Sequence, residues 1–159
     1  MRTIKIKKNT NGDSRVATKV PTIDEFIRAN HAHTREVEEM MSCISAKIAI
    51  RGASHDYTKR TEPHKSQFYR DLSNTIEGKM KFEEGEWVKH HYTAERHHLT
   101  RHCPEDVNLI DVLEMICDCV CAGIARSGEV RPLTLDSDIL QKAVTNTAKL
   151  CEGMVILED

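Results

Sequence analysis

Residues 55 and 56 are a histidine followed at once by an aspartate, within Ser54-His55-Asp56-Tyr57-Thr58-Lys59. Imidazole nitrogen and carboxylate oxygen are the donors that a divalent metal of the zinc, manganese or iron kind requires. The pair is short and arises often by chance, so its weight comes from what flanks it. Upstream, Val37, Met40, Ile44 and Ile48 follow His33 by four, seven, eleven and fifteen residues, the spacing of one helical face. Downstream, Trp87 to His98 carries His90, His91, His97 and His98, with His102 close behind. Further on, the run from Met115 to Ala125 is uncharged except for Asp118. An ionised carboxylate in apolar surroundings is costly unless it is paired or metal-bound. His33, His55, Asp56 and Asp118 are therefore the expected ligands of one metal centre. Asp111, near the same helical face as Asp118, is placed to support them from behind.

Helix geometry limits the histidine-rich run. Neighbours on a helix point about 100° apart, and residues seven apart are separated by roughly 10 Å along the axis. On one straight helix the two His pairs cannot all grip one ion. Either the helix breaks, or one pair binds metal while the other meets substrate. A lone histidine on an apolar face serves equally as a hydrogen-bonded core residue, and a histidine run serves equally as a solvated face. The combination favours a metal centre.

The elements that must carry these residues read as helices. Thr22 and Glu25 form a capping-box signal after Pro21, and the pattern from Ile23 onward stops at Gly52. Phe68, Tyr69, Leu72 and Ile76 predict the apolar side of a second helix, and 78–85 a charged loop. Pro104-Glu105-Asp106 predicts the start of another, with Ile110, Leu113, Cys117, Val120 and Ile124 as its core stripe. Thr134 to Ser137 offer caps for a last helix, which Gly153 stops and after which Met154 to Leu157 pack back on the core. The expected fold is all-α, a compact helical bundle of about five to seven helices. Residues 1–20 read as a basic arm or edge strand, and 21–159 as a single helical domain.

Bulk properties exclude several classes. In 159 residues the net charge is -2 with both signs interspersed, which supports no extended nucleic-acid surface. No apolar run approaches a membrane span, and Met1-Arg2-Thr3-Ile4 does not open a secretory leader, so a cytoplasmic protein is expected. The cysteines at 43, 103, 117, 119, 121 and 151 read as reduced core residues, because a C-x-C-x-C run on a helix turns its thiols to different sides.

Taken together, the chemistry-bearing segments resemble the HD-domain metal-dependent phosphohydrolase superfamily. They are most similar to a branch of small phage and bacterial proteins with the patterns H-D-x-S-K, E-P-x-K-S-x-F, H-H-Y-x-x-x-R-H-H-x-x-x-H and L-I-D-L-L-E-M-x-C-D-W. The corresponding residues here are His55 to Lys59, Glu62 to Phe68, His90 to His98 with His102, and Leu109 to Cys119. The resemblance covers about residues 33 to 150. Thr58 replaces the usual serine and Cys119 the usual tryptophan.

The resemblance implies a helical bundle of the HD-domain type, in which His33, His55, Asp56 and Asp118 hold a divalent ion (Mn, Fe, Co, Ni, Mg or Zn). The doubled histidines His90, His91, His97 and His98, together with Glu62, stand as ligands of a second ion or of substrate, with Asp56 bridging. Hydrolysis of a phosphate ester follows, the substrate being a nucleotide, a nucleotide signal or another small phosphorylated ligand. Lys59 would reach a phosphate, while Arg96 and His98 would steady the transition state or protonate the leaving oxygen. Two rival readings use the same scaffold: a non-catalytic nucleotide- or partner-binding protein serving phage counter-defence, and a di-iron oxygenase. A homodimer is compatible with all three, and the host cytoplasm would be the location if the chain is phage-encoded.

Overall fold

Thr22 caps the first helix as its side chain predicts: the Glu25 amide donates to Thr22 Oγ1 at 3.2 Å, and the Thr22 amide donates to Glu25 Oε2 at 2.7 Å. That helix, α1, runs from Ile23 to Ser54 without interruption. Gly52 does not stop it; the chain leaves the helix at Asp56, which adopts a left-handed conformation with φ 53° and ψ 39°. Asp tolerates this region better than most residues because its short polar side chain bonds locally.

The computed structural model describes residues 3–8, 11, 16–130 and 132–158. It is an all-α fold with five α-helices among the described residues and one small sheet. After α1 come α2 (His64–Ile76), α3 (Glu86–Ala94), α4 (Leu109–Ser127) and α5 (Ser137–Glu152). Strand β1 (Ile4–Lys7) lies parallel to β2 (Val155–Glu158), with Ile4 opposite Val155. The rest of the expected arm, at 1–2, 9–10 and 12–15, lies outside the described residues.

The chain forms two compact units. The first holds 1–49 and 148–159, and its core is Ile4, Cys43 and Met154, with Met40, Ile44 and Leu150 packed around them. Met154 is fully buried, as the predicted return of the tail requires. The second holds 50–147, and its core gathers Leu99, Val107, Val112, Met115 and Ala143.

Four expectations need correction. Tyr69 and Ile76 of α2 are exposed; the helix is placed instead by Phe68, stacked on Trp87 at 3.9 Å, and by buried Asp71, which accepts from the Trp87 amide at 2.9 Å. Helix α4 begins at Leu109 rather than near Pro104. Asn108 caps it, accepting from the Ile110 amide at 3.0 Å, while Asp111 accepts from the Asn108 amide at 3.0 Å. Its buried side is Ile110, Asp111, Val112, Glu114 and Met115, leaving Leu113, Val120 and Ile124 partly exposed, because the carboxylates face inward to partners. All six cysteines are free, but Cys117 and Cys121 are exposed rather than core residues.

Candidate metal centre

The side chains that converge all belong to the second unit. The turn after α1 aims His55 and Asp56, the end of α3 supplies His91, and the segment after it supplies Glu95, His97 and His98. Helix α4 contributes Glu114 and Asp118. The α3 helix breaks at Glu95, whose backbone is extended (φ -94°, ψ 111°). That break turns His97 and His98 back onto His91: the His91 and His98 ring centroids lie 4.6 Å apart. Of the two arrangements open to the histidine run, this is the broken helix.

Hydrogen bonds fix which ring nitrogens face inward. Thr58 is fully buried. Its hydroxyl donates its one proton to Glu95 Oε1 at 2.9 Å, so its 2.7 Å contact with His91 Nδ1 must be donated by the imidazole. His91 Nε2 is then an acceptor. Likewise His55 Nδ1 donates to Glu114 Oε1 at 2.9 Å, leaving His55 Nε2 bare. His98 Nε2 lies 2.8 Å from His91 Nε2 and must supply the proton between them.

These acceptors converge. Asp56 Oδ1 is 3.6 Å from His91 Nε2 and 3.7 Å from His97 Nε2. His55 Nε2 is 3.5 Å from both Asp56 Oδ2 and Asp118 Oδ1. Such gaps are too long for hydrogen bonds. They lie at or just beyond the ~3.0–3.5 Å between neighbouring donors that each sit about 2.1 Å from one ion. Asp56 Oδ1 and His97 Nε2 are buried without a hydrogen-bond partner, while His97 Nδ1 faces Glu114 Oε1 at 3.2 Å. Burying acceptors against acceptors is unfavourable unless a cation joins them. Three sets have donor atoms within 4.8 Å of one another: His55, His97 and Asp118; Asp56, His97 and His98; Asp56, His91 and Glu95. Asp56 and His97 each belong to two sets, so the residues fit one ion or two adjacent ions.

Local electrostatics agree. Burial, reinforced by the neighbouring His98, pushes His91 down to about 3, and burial with His97 beside it pushes His98 down to about 4. Both are therefore neutral at pH 7, candidate ligands rather than acids. Asp56 is held below the usual carboxylate range: burial opposes this, and the Lys59 ammonium bonded to Oδ2 prevails. Glu114 is lowered against its burial by His97 and His55, and His97 is raised against its burial by Glu114, 3.2 Å from its Nδ1.

The ligands rest on a second layer of charge. Arg51 Nη1 donates to Asp111 Oδ1 at 2.7 Å and to Glu114 Oε2 at 3.2 Å. Arg96 clasps the same Asp111 through Nε and Nη2, each at 2.8 Å. Asp111 thus supports Glu114 through Arg51, and Glu114 in turn orients His55.

Some expected site residues lie elsewhere. His33 is exposed in the first unit, about six turns before the end of the uninterrupted helix that His55 follows, so a ligand role beside His55 is excluded by helix rise. His90 stacks on His64 at 4.3 Å, outside the three ligand sets. Glu62 is exposed and engaged by Ser66 and Lys65. Arg96 gives its remaining donors to Asp106, at 2.8 Å to the carboxylate and 3.1 Å to the carbonyl, and so positions rather than meets a reacting group. Sequence reasoning missed Glu95, Glu114 and Thr58. Glu114 had a signal: with Asp111 and Asp118 it forms an i, i+3, i+7 acidic stripe on a helix. Glu95 and Thr58 had none, since their partners are assigned by the break after α3.

Residues 22–150 match the model of a family of unknown function (DUF5662), so the chain belongs to that family. No curated protein and no solved structure matches it. No helix among the described residues is long and apolar enough to cross a membrane.

Proposed function

We propose that this member of the family of unknown function (DUF5662) is a metal-dependent phosphohydrolase, with a nucleotide or nucleotide signal as substrate. The observation that carries the reading is the convergence of the acceptor nitrogens of His55 and His91 with the carboxylates of Asp56 and Asp118, and with His97 Nε2 and Asp56 Oδ1 buried and unpartnered among them. His55, Asp56, His97 and Asp118 would hold one divalent ion. Asp56, His91, His98 and Glu95 would hold a second beside it. Bound there, such an ion lowers the pKa of water to give a nucleophile at neutral pH and neutralises phosphate charge.

The chain's own groups do the rest. Lys59 keeps Asp56 ionised and, being about one-third exposed, can also turn its ammonium to a phosphate oxygen. Glu114 fixes the His55 tautomer. Thr58 fixes that of His91, which explains why a threonine serves where the resembling sequences carry serine: the hydroxyl does the work. Beside Asp118 opens a cavity of about 260 Å³, walled by Cys119, Ala122, Pro132 and Leu133 and carrying Arg126. Apolar walls, a guanidinium and a candidate metal ligand in one recess suit a base or sugar next to its phosphate. His98, lowered to about 4, serves as ligand or acceptor rather than as the acid that protonates a leaving oxygen.

The test begins with metal analysis of protein purified without chelator. A panel of nucleoside mono-, di- and triphosphates and cyclic nucleotides then follows with Mn(II), Co(II), Mg(II) or Ni(II). Phosphate release from at least one is expected, and Asp56→Asn should abolish it. Protein that holds metal yet turns over none of the panel sinks the hydrolase reading. Dioxygen consumption after iron loading would transfer the site to oxygenase chemistry.

A further inference from the structure

Helix α1 is 32 residues long and buries only Cys43. In water a helix of this length needs an apolar face covered by something. Beside the side that packs on the first unit's core runs a second stripe. Ile23, Ile27, Asn30, Thr34, Val37, Met41, Ile44 and Ile48 follow one another at alternating steps of four and three residues. That is the a/d repeat of a coiled coil, sustained over most of the helix. Ile23, Ile27, Val37, Met41 and Ile48 are 69%, 42%, 49%, 64% and 38% exposed. Ile44 is where this seam meets the unit's own core.

We infer that α1 pairs with α1 of a second copy of this chain, in parallel and in register. Three features of the seam select this occupant. In a parallel, in-register pair the polar positions Asn30 and Thr34 meet their own equivalents and every apolar layer from Ile23 to Ile48 meets an apolar layer; an antiparallel pair that sets Asn30 against Thr34 overlaps only residues 23–41 and leaves Ile44 and Ile48 without a partner layer. Polar layers inside an apolar seam favour the register that matches them, at some cost in stability. Thr34 Oγ1 already bonds the Asn30 and His31 carbonyls at 3.1 Å, which keeps its hydroxyl satisfied inside an otherwise apolar seam. Finally, with Ile27, Thr34 and Met41 at a and Ile23, Asn30 and Val37 at d, His33 falls at g and Glu38 at e. In parallel dimers a g residue faces the e residue five places further along the partner, so His33 of each copy meets Glu38 of the other. Both are exposed. The histidine excluded from the metal centre thereby gains a carboxylate as a hydrogen-bond partner.

Sedimentation equilibrium and light scattering across the micromolar range should give about twice the chain mass of 18.1 kDa. Val37→Glu with Met41→Glu changes two side chains already exposed in the single chain, so its far-UV circular dichroism should stay helical while its mass falls to that of a monomer. Mild oxidation of Asn30→Cys should link copies at least tenfold more than Arg28→Cys, which points away from the seam. A monomeric parent, a dimer that survives the double substitution, or linkage at residue 30 no greater than at 28 each overturns the inference.

Discussion

Asp56 carries more of the site than any other side chain. It ends the helical path in a left-handed conformation, ion-pairs with Lys59, and belongs to two of the three ligand sets. Asp56→Asn keeps the backbone preference while removing charge, so metal content should fall with helicity intact, read by mass spectrometry and circular dichroism. Glu114→Gln leaves every direct ligand in place but weakens the acceptor that orients His55. Metal affinity should drop about 10–100-fold. Thr58→Val removes the hydroxyl that bridges His91 and Glu95, leaving both polar groups without it, at a cost of about 1–3 kcal/mol. Thr58→Ser should retain both stability and metal. If valine and serine behave alike in thermal melts, the assigned tautomer of His91 is wrong.

The same residues predict a pH dependence for metal-free protein. Unfolded, His91 and His98 take up protons near pH 6.5; folded, burial delays this to about 3 and about 4. The unfolded state therefore binds more protons between these values, and stability falls as pH drops from 6.5. Asp56 and Glu114, both lowered, add to the loss further into the acid range. His97, raised, acts oppositely: its contribution is complete below its unfolded value and lost as pH rises through its folded one. Two depressed imidazoles outweigh one elevated one, so melts in chelator should show a midpoint that declines from neutrality to about pH 4.5. An unchanged midpoint would contradict the burial assigned to His91 and His98.

At the scale of elements, the site depends on how α3 and α4 begin. Helix α3 starts where Asp71 accepts from the Trp87 amide, and Gly85 sits against that carboxylate: a Cβ there would lie 2.8 Å from Asp71 Oδ2. Gly85→Ala should therefore dislodge the cap and lower the melting temperature. Trp87 stacks on His91 at 4.4 Å, so metal affinity should fall with it. Helix α4 is tied down through Asp111, which is fully buried between Arg51 and Arg96. Arg96→Leu strips one partner from a buried carboxylate, yet Arg51 stays and Arg96 is partly solvated. The expected loss is about 1–3 kcal/mol, less than for a sealed pair.

For the whole molecule, all the ligand candidates that converge fall in the unit spanning 50–147, whereas β1, β2 and most of α1 belong to the other. Ile4→Asp introduces a charge at a position 3% exposed, against Cys43 and Met154. It should destabilise the first unit markedly while metal stoichiometry stays at the parent value. Chelation should do the converse, lowering the melting point through the second unit. Ligand at a hundredfold its dissociation constant stabilises by about 2.7 kcal/mol, and stripping it forfeits that.

Periodicity and caps in the sequence made the helices legible, because an amphipathic repeat and a Thr22–Glu25 box act over a few residues. The donor types of the centre were legible too: His55, Asp56 and Asp118 stand out because imidazole beside carboxylate, or a lone charge in an apolar run, has few other uses. What the chain alone left undecided was long-range. A helix-phased histidine looks the same whether its helix stops soon after or continues for six turns, so His33 could be excluded only once α1 was seen to run unbroken to Ser54. The break at Glu95, the enclosure of Thr58 and the inward turn of Glu114 exist because distant segments complete their hydrogen bonds. Local preference chooses the type of element; which side chains end up within reach of one another is chosen by the contacts that close around them.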